Sequence, residues 1–175
     1  LRDALAEALY LIHVERNADV VCMTSYAPLF ARKNATNWNP DLIYFDNERP
    51  YLTCSYYVQQ MFGQSSADYF YGDCVQFEGE KTNMQEQSVV LNTKTRKLYV
   101  KICNASGETR KANIDLRRFK GMKSAATLTT LSGQPEQENN YEAQPVKPVV
   151  EKVKVKGRMA VELKPYSFIM YTINL

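Results

Sequence analysis

The sequence predicts a mainly β protein: an antiparallel β-sandwich over residues 73–175, preceded by a partial α/β segment over residues 1–72. Three observations carry that expectation. Apolar residues recur every three to four positions in the early helical segments and every second position beyond about residue 73. An amphipathic helix leads at once into the unbroken apolar run "DVVCMTSY", the order of helix, tight turn and buried strand that α/β folds use. Five alternating segments with polar connections follow, which is the grammar of a sandwich.

The first helix is expected from Arg2 to Asn17. Leu5, Ala8, Leu9 and Ile12 form its apolar stripe, and Asp3 suits an acidic first turn or cap. Asp19 to Tyr26 then reads as a strand buried on both faces. A long polar loop follows from Ala27 to about Pro50, a length that more often serves function than mere connection. Next, "SYYVQQMFGQSS" places Tyr57, Met61 and Phe62 at helical spacing and stops at Gly63. In "KLYVKIC" Leu98, Val100 and Ile102 share a face, and in "KANIDL" Ala112, Ile114 and Leu116 do so. Asn104 to Arg110, with Ser106 and Gly107 inside it, is expected to be a hairpin joining these two strands. Further strands are "AATLTTL", "VEKVKVKG" and "YSFIMYTINL", the first two separated by the polar tract "SGQPEQENNYEAQPVKP". The last has both alternating sets apolar, Phe168 and Met170 against Ile169, Tyr171 and Ile173, so it should lie centrally. Lys152, Lys154 and Lys156 mark the wet face of one strand. A single buried parallel strand cannot pair with itself, so residues 1–72 are either the tail of a larger α/β sheet or barrel, or a segment draped onto the sandwich.

Composition narrows the function classes. With 45% hydrophobic and 23% charged residues the chain is of ordinary globular type, and its net charge of +3 implies no nucleic-acid partner. No run of 18 apolar residues occurs, so no membrane partner is expected. "LRDALAEALYLIHVERN" lacks the order of a signal peptide, and helix periodicity from the first residues, without a starting Met, suggests a chain entered in mid-fold. Cys22, Cys54, Cys74 and Cys103 are widely spaced with no CxxC, and His13 is the single histidine. Zinc knuckles, multi-histidine metal sites and thioredoxin chemistry are therefore excluded, scattered buried thiols are expected, and His13 reads as a helix-surface or packing residue. Neither GxSxG, GxGxxG nor GxxxxGK[ST] is present, so no metal or cofactor is expected. Asn34-Ala-Thr36 and Asn104-Ala-Ser106 match the glycosylation tripeptide, a weak signal.

Carboxylates remain as a source of chemistry. Glycoside hydrolysis needs two, one protonated to assist the leaving oxygen and one ionised, about 5 Å apart when configuration is retained. Asp41, Asp46 and Glu48 lie in the long loop, but they flank a helix entrance, where acids commonly complement the dipole. Trp38 is the stronger functional residue. Its indole either offers a flat apolar face and an N–H donor to a sugar ring or plugs the loop onto its support.

"ERNADVV", "SYAPLF", "WNPDLIYFDN" and "SYYVQ", in that order and with these gaps, resemble the end of the catalytic domain of glycoside hydrolase family 51 α-L-arabinofuranosidases. The resemblance is strong over residues 3–62, and the remainder fits the family's C-terminal β-sandwich in length and pattern. It implies that residues 1–72 are the terminal αβα segment of a (β/α)8 barrel. Ala4 to Asn17 would be the seventh barrel helix, Val20 to Met23 or Thr24 the eighth strand, Ala27 to Pro50 the last βα loop, and Tyr56 to Phe62 the eighth helix. Barrel active sites are built from such loops, so Trp38, Asn39 and Asp41 are implied to line a rim of the sugar site. The partner implied is an arabinose-containing plant polysaccharide or oligosaccharide, cleaved with retention. Neither catalytic glutamate of the family has a match here: no "NEP"-like triplet occurs, and Glu7, Glu15 and Glu48 fit neither position. The chain is thus expected to carry no catalytic residue and to be inactive alone.

Two further readings remain. A sandwich that itself binds polysaccharide needs exposed aromatics, yet eight of the twelve tyrosines precede residue 72, and of Tyr99, Tyr141, Tyr166 and Tyr171 only Tyr141 lies in a polar loop. A structural role, packing on the barrel and aiding oligomer contacts, is favoured for residues 74–175. The apolar faces of the first 70 residues predict a homo-oligomer or rearranged packing.

Overall fold

The apolar stripe of the first segment forms helix α1 (Arg2–Arg16) in the computed structural model, which describes residues 1–80 and 82–175. Three short strands follow, β1 (Phe30–Arg32), β2 (Ile43–Phe45) and β3 (Pro50–Leu52), and then helix α2 (Cys54–Gly63). Thr53 caps α2, its hydroxyl accepting the Tyr56 N–H at 3.2 Å and donating to the Leu42 carbonyl at 2.8 Å. The β region comprises β4 (Tyr69–Phe70), β5 (Val75–Phe77), β6 (Gln85–Asn92), β7 (Lys97–Asn104), β8 (Arg110–Asp115), β9 (Ala125–Ser132), β10 (Val149–Lys154), β11 (Arg158–Leu163) and β12 (Ser167–Asn174).

These nine strands make the expected sandwich. One sheet runs β10-β9-β12-β7-β6-β4 and the other β11-β8-β5, with every pairing antiparallel. β12 lies centrally, between β9 and β7, because its two alternating apolar sets each have a layer to meet. Ile169, Tyr171 and Ile173 join Leu98, Val100, Ile102, Ala112 and Ile114 between the sheets. Phe168 and Met170 face the other way and pack with Leu5, Ile12, Val58 and Met61 of the helices. The molecule therefore has three layers: two helices, a six-stranded sheet and a three-stranded sheet. At about 1.5–3 kcal/mol for each fully buried large apolar side chain, both seams contribute strongly. One core joins residues on either side of position 72, so residues 1–16 and 53–63 drape onto the sandwich.

Several expectations are corrected. Val20 to Thr24 form no strand: residues 21–26 have no ladder partner, because a strand buried on both faces needs neighbours on both edges. Val20 and Met23 stand 77% and 81% exposed. The long loop contains a small sheet, β1 parallel to β2 and β2 antiparallel to β3, built on the alternation of Ile43, Tyr44 and Phe45. Asn104 to Arg110 is not a hairpin but a crossover between sheets, since β7 pairs with β6 and β12 while β8 pairs with β5 and β11. The hairpin is β6–β7, whose turn places Arg96 at φ 55°. β10 is a sheet edge, and Lys152 on it donates to Thr127 at 3.2 Å. Cys54, Cys74 and Cys103 are buried free thiols and Cys22 is exposed. Asn104 is buried too, its amide donating to the Glu108 and Lys164 carbonyls, so that tripeptide serves the crossover. Among the described residues no helix is long and apolar enough to cross a membrane.

Candidate functional site

Trp38, Asn39 and Asp41 lie together in the connection from β1 to β2, but in different surroundings. The indole of Trp38 is 65% exposed, whereas Asp41 is only 2% exposed. Thr36 clasps the segment from within: its hydroxyl donates to the Trp38 carbonyl at 3.0 Å and accepts the Trp38 N–H at 3.2 Å. It also stands 3.4 Å from Asp41 Oδ2. Tyr44 closes the clasp, its phenol donating to Asn39 Oδ1 and accepting the Asp41 N–H at 3.0 Å. Trp38 is therefore the member of the three that presents an open aromatic face, while the exposed Asn39 and the buried Asp41 hold the loop in shape. Thr36 and Tyr44 escaped the sequence reading, although Tyr44 sits in the alternating triplet that builds β2.

Tyr44 is itself packed. Its ring stacks on Tyr51 of β3, centroids 4.7 Å apart and planes 2° from parallel, and Tyr51 meets the edge of Tyr141 at 4.6 Å. Burial, then the phenols of Tyr44 and Tyr141, raise the Tyr51 pKa well above its ordinary value. The Nζ of Lys33 lies 4.5 Å from the Tyr141 ring centroid, and Arg49 donates to the Tyr141 carbonyl at 2.9 Å. Tyr141, expected as the exposed platform of the sandwich, is half-buried and occupied by these contacts.

The acids of this region have structural employment. Asp46 caps the β2–β3 turn, accepting the N–H groups of Glu48 and Arg49 at 2.9 Å each, and these bonds lower its pKa. It serves the turn and not the entrance of α2. Glu48 is exposed beside it. Glu7 stands between the helices, accepting from Ser55 at 2.7 Å, Gln59 at 3.3 Å and Tyr26 at 3.4 Å, yet burial outweighs these donors and raises its pKa.

A second polar cluster joins α1 to the sheet. Lys101 of β7 is fully buried, its ammonium 2.6 Å from Glu15 Oε1 and 5.0 Å from the Phe62 ring centroid, while Ser88 donates to the other Glu15 oxygen. Burial lowers the Lys101 pKa, and Glu15 opposes that shift. Nearby, Glu86 pairs with Arg16 and, at 3.7 Å, with the half-exposed His13. Burial would raise the Glu86 pKa, but the hydrogen bond and charge of Arg16, with His13, carry it below the ordinary value. Both clusters fasten helix to sheet. Among the described residues no group of three or more His, Cys, Asp and Glu side chains gathers in a metal-binding cluster.

Known proteins share this architecture. A family model described as the α-L-arabinofuranosidase C-terminal domain matches residues 1–167. A probable α-L-arabinofuranosidase A of Aspergillus terreus is 30% identical over 178 residues, covering 99% of this chain and 27% of that protein. α-L-Arabinofuranosidase 1 of Arabidopsis thaliana is 52% identical over 63 residues, 36% of this chain and 9% of that protein. Among solved structures, an arabinose-bound glycoside hydrolase family 51 α-L-arabinofuranosidase superposes with a TM-score of 0.86 at 27% identity, over 98% of this chain and 27% of that one. A family 51 α-L-arabinofuranosidase from Bifidobacterium longum shares the fold at 16% identity, with a TM-score of 0.76 over 99% of this chain and 35% of that one. The chain thus spans about a quarter of the length of the Aspergillus terreus relative.

Proposed function

The chain belongs to the α-L-arabinofuranosidase C-terminal domain family, and from that premise we propose that it is the C-terminal part of a longer retaining α-L-arabinofuranosidase. The intact enzyme hydrolyses terminal non-reducing α-L-arabinofuranosyl residues of arabinan- or arabinoxylan-type polysaccharides. Its acid/base and nucleophile are two glutamates outside this chain, so the 175 residues alone are inactive. There residues 1–72 form the end of the catalytic barrel and join it to the sandwich of residues 73–175, on whose sheet their two helices pack.

The observation that carries this reading is the family match across residues 1–167. The geometry accords with it. Glu7 and Glu15 are engaged between helices and sheet, and Asp41 is enclosed, so none of them is free to act on a saccharide. Trp38 offers the sugar a platform at the rim, on a loop whose shape Asn39 and Asp41 maintain. An aromatic face of this kind binds the apolar side of a furanose and orients it without touching the reacting bond.

The test is release of 4-nitrophenol from 4-nitrophenyl α-L-arabinofuranoside. The longer protein should hydrolyse it and the 175-residue chain should match a buffer blank. Turnover by the chain alone sinks the assignment of the chemistry to absent residues. Val20, Met23, Leu29 and Phe30 are all exposed, and this uncovered apolar surface favours a homo-oligomer of the chain. A monomeric mass by light scattering would refute that.

A further inference from the structure

The geometry points to Tyr44 as the positioning residue of the Trp38–Asp41 segment, and to the tract between β9 and β10 as the support that fixes Tyr44 through Tyr51 and Tyr141. The sandwich would then set the pose of the saccharide-contacting loop, beyond holding the barrel from behind.

Trp38 has little packing of its own, so its direction must come from the backbone on either side of it. That backbone is held at two places. Thr36 grips the Trp38 peptide from before, and the Tyr44 phenol grips Asn39 and Asp41 from after. A phenol makes such bonds reliably only when its ring cannot turn. Tyr44 is held flat against Tyr51, and Tyr51 is blocked by the edge of Tyr141. Such aromatic contacts carry geometry from ring to ring, since each arrangement is favoured over its rotated alternatives.

Tyr141 lies in the long tract of the sandwich, and that tract is pinned. Asn140 Oδ1 accepts the N–H groups of Glu142 at 2.9 Å and Ala143 at 2.8 Å, shaping the turn that carries Tyr141. The buried amide of Asn139 donates to Leu52 of β3 at 2.9 Å and to Val146 at 2.8 Å. Lys33 above the Tyr141 ring and Arg49 on its carbonyl complete the attachment from the small sheet. An aromatic tie through Tyr51 and a hydrogen bond from Asn139 therefore run from the sandwich to β3, the neighbour of β2, and the contacts of Lys33 and Arg49 with Tyr141 add to them. The functional consequence rests on the reading of Trp38 as a sugar contact, whereas the positioning does not.

Trp38 is the single tryptophan of the chain, so its emission reports the loop directly. Tyr44→Phe and Tyr141→Ala in the 175-residue chain should lower Trp38 anisotropy and raise its iodide quenching constant about twofold. Tyr141→Phe, which keeps the ring, should behave as the parent. If Tyr141→Ala loses its circular dichroism, Tyr44→Phe, which keeps the stack, decides. Unchanged anisotropy and quenching in a folded Tyr44→Phe overturn the proposal. In the longer enzyme the two disruptive variants should raise KM for an arabinofuranoside about 3- to 10-fold with kcat within about twofold, and Tyr141→Phe should restore it. A fluorescence change with unaltered KM keeps the positioning and sinks the saccharide contact. A raised KM with unaltered fluorescence overturns the relay.

Discussion

β12 and the stretch from Val20 to Phe30 are both rich in apolar residues, and they meet opposite fates. In β12 each alternate residue finds a partner: Phe168 and Met170 under the helices, Ile169, Tyr171 and Ile173 between the sheets. In the earlier stretch Val20, Met23 and Phe30 face solvent, Phe30 forming a T-shaped pair with Phe45 at 6.3 Å. Local sequence supplies apolar surface in both. What differs is the opposing layer, which β12 has on both sides and the early stretch lacks. Burial is thus decided by residues far away in the chain, and an apolar run alone does not say on which side of that decision it falls.

The sharpest test sets one phenylalanine against another. Phe168→Ala should cost about 3–5 kcal/mol in urea unfolding, whereas Phe30→Ala should stay within about 0.5 kcal/mol. Equal losses would abolish the distinction. The next test concerns the ion pair under α1. Lys101→Ala leaves Glu15 without its buried partner and should cost about 3 kcal/mol, while the double change Glu15→Leu with Lys101→Met should be near neutral or stabilising. A double variant as weak as the single one would mean that the charges themselves, and not only their pairing, hold the helix down.

The smallest effect is one of pH. Burial raises the Glu7 pKa above its ordinary 4.5, so the folded state favours the protonated carboxyl. That contribution is full below the unfolded value and is lost as pH rises through the folded one. Glu86 works in the opposite sense: its lowered pKa stabilises the fold above the ordinary carboxylate range, and that contribution is lost in acid. Comparing Glu7→Gln with the parent isolates the first. The variant should gain stability relative to the parent as pH rises from 4 toward 8, read from urea midpoints. A relative loss at higher pH would show that the three donors outweigh burial.

The sandwich and both helices were legible because their signals are periodic and their partners lie within the chain. The central place of β12 followed from its two apolar sets, and the presence and end of α2 from Tyr57, Met61 and Phe62 before Gly63. Strand pairing was less legible. "KLYVKIC" and "KANIDL" are consecutive and alternate alike, yet they belong to different sheets, and nothing local records which sheet a strand joins. β6 hid because Gln85 and Gln87 interrupt its apolar pattern while being buried. At the candidate site, Trp38 was visible by its residue type. Tyr44 was not, since its role depends on a loop folding back five residues to place Asn39 against its hydroxyl.

The central place of β12 also bears on the order in which the fold can be made. β12 follows every other strand of its sheet in the chain, and it alone connects the β9–β10 pair to the β7-β6-β4 group. While the ribosome has yet to release it, the two parts have no hydrogen bonds joining them within the sheet, and the facing sides of β7 and β9 are unpaired edges. Vectorial synthesis therefore delivers two separate half-sheets first, open to wrong strand partners, and the sheet closes in a late, long-range step.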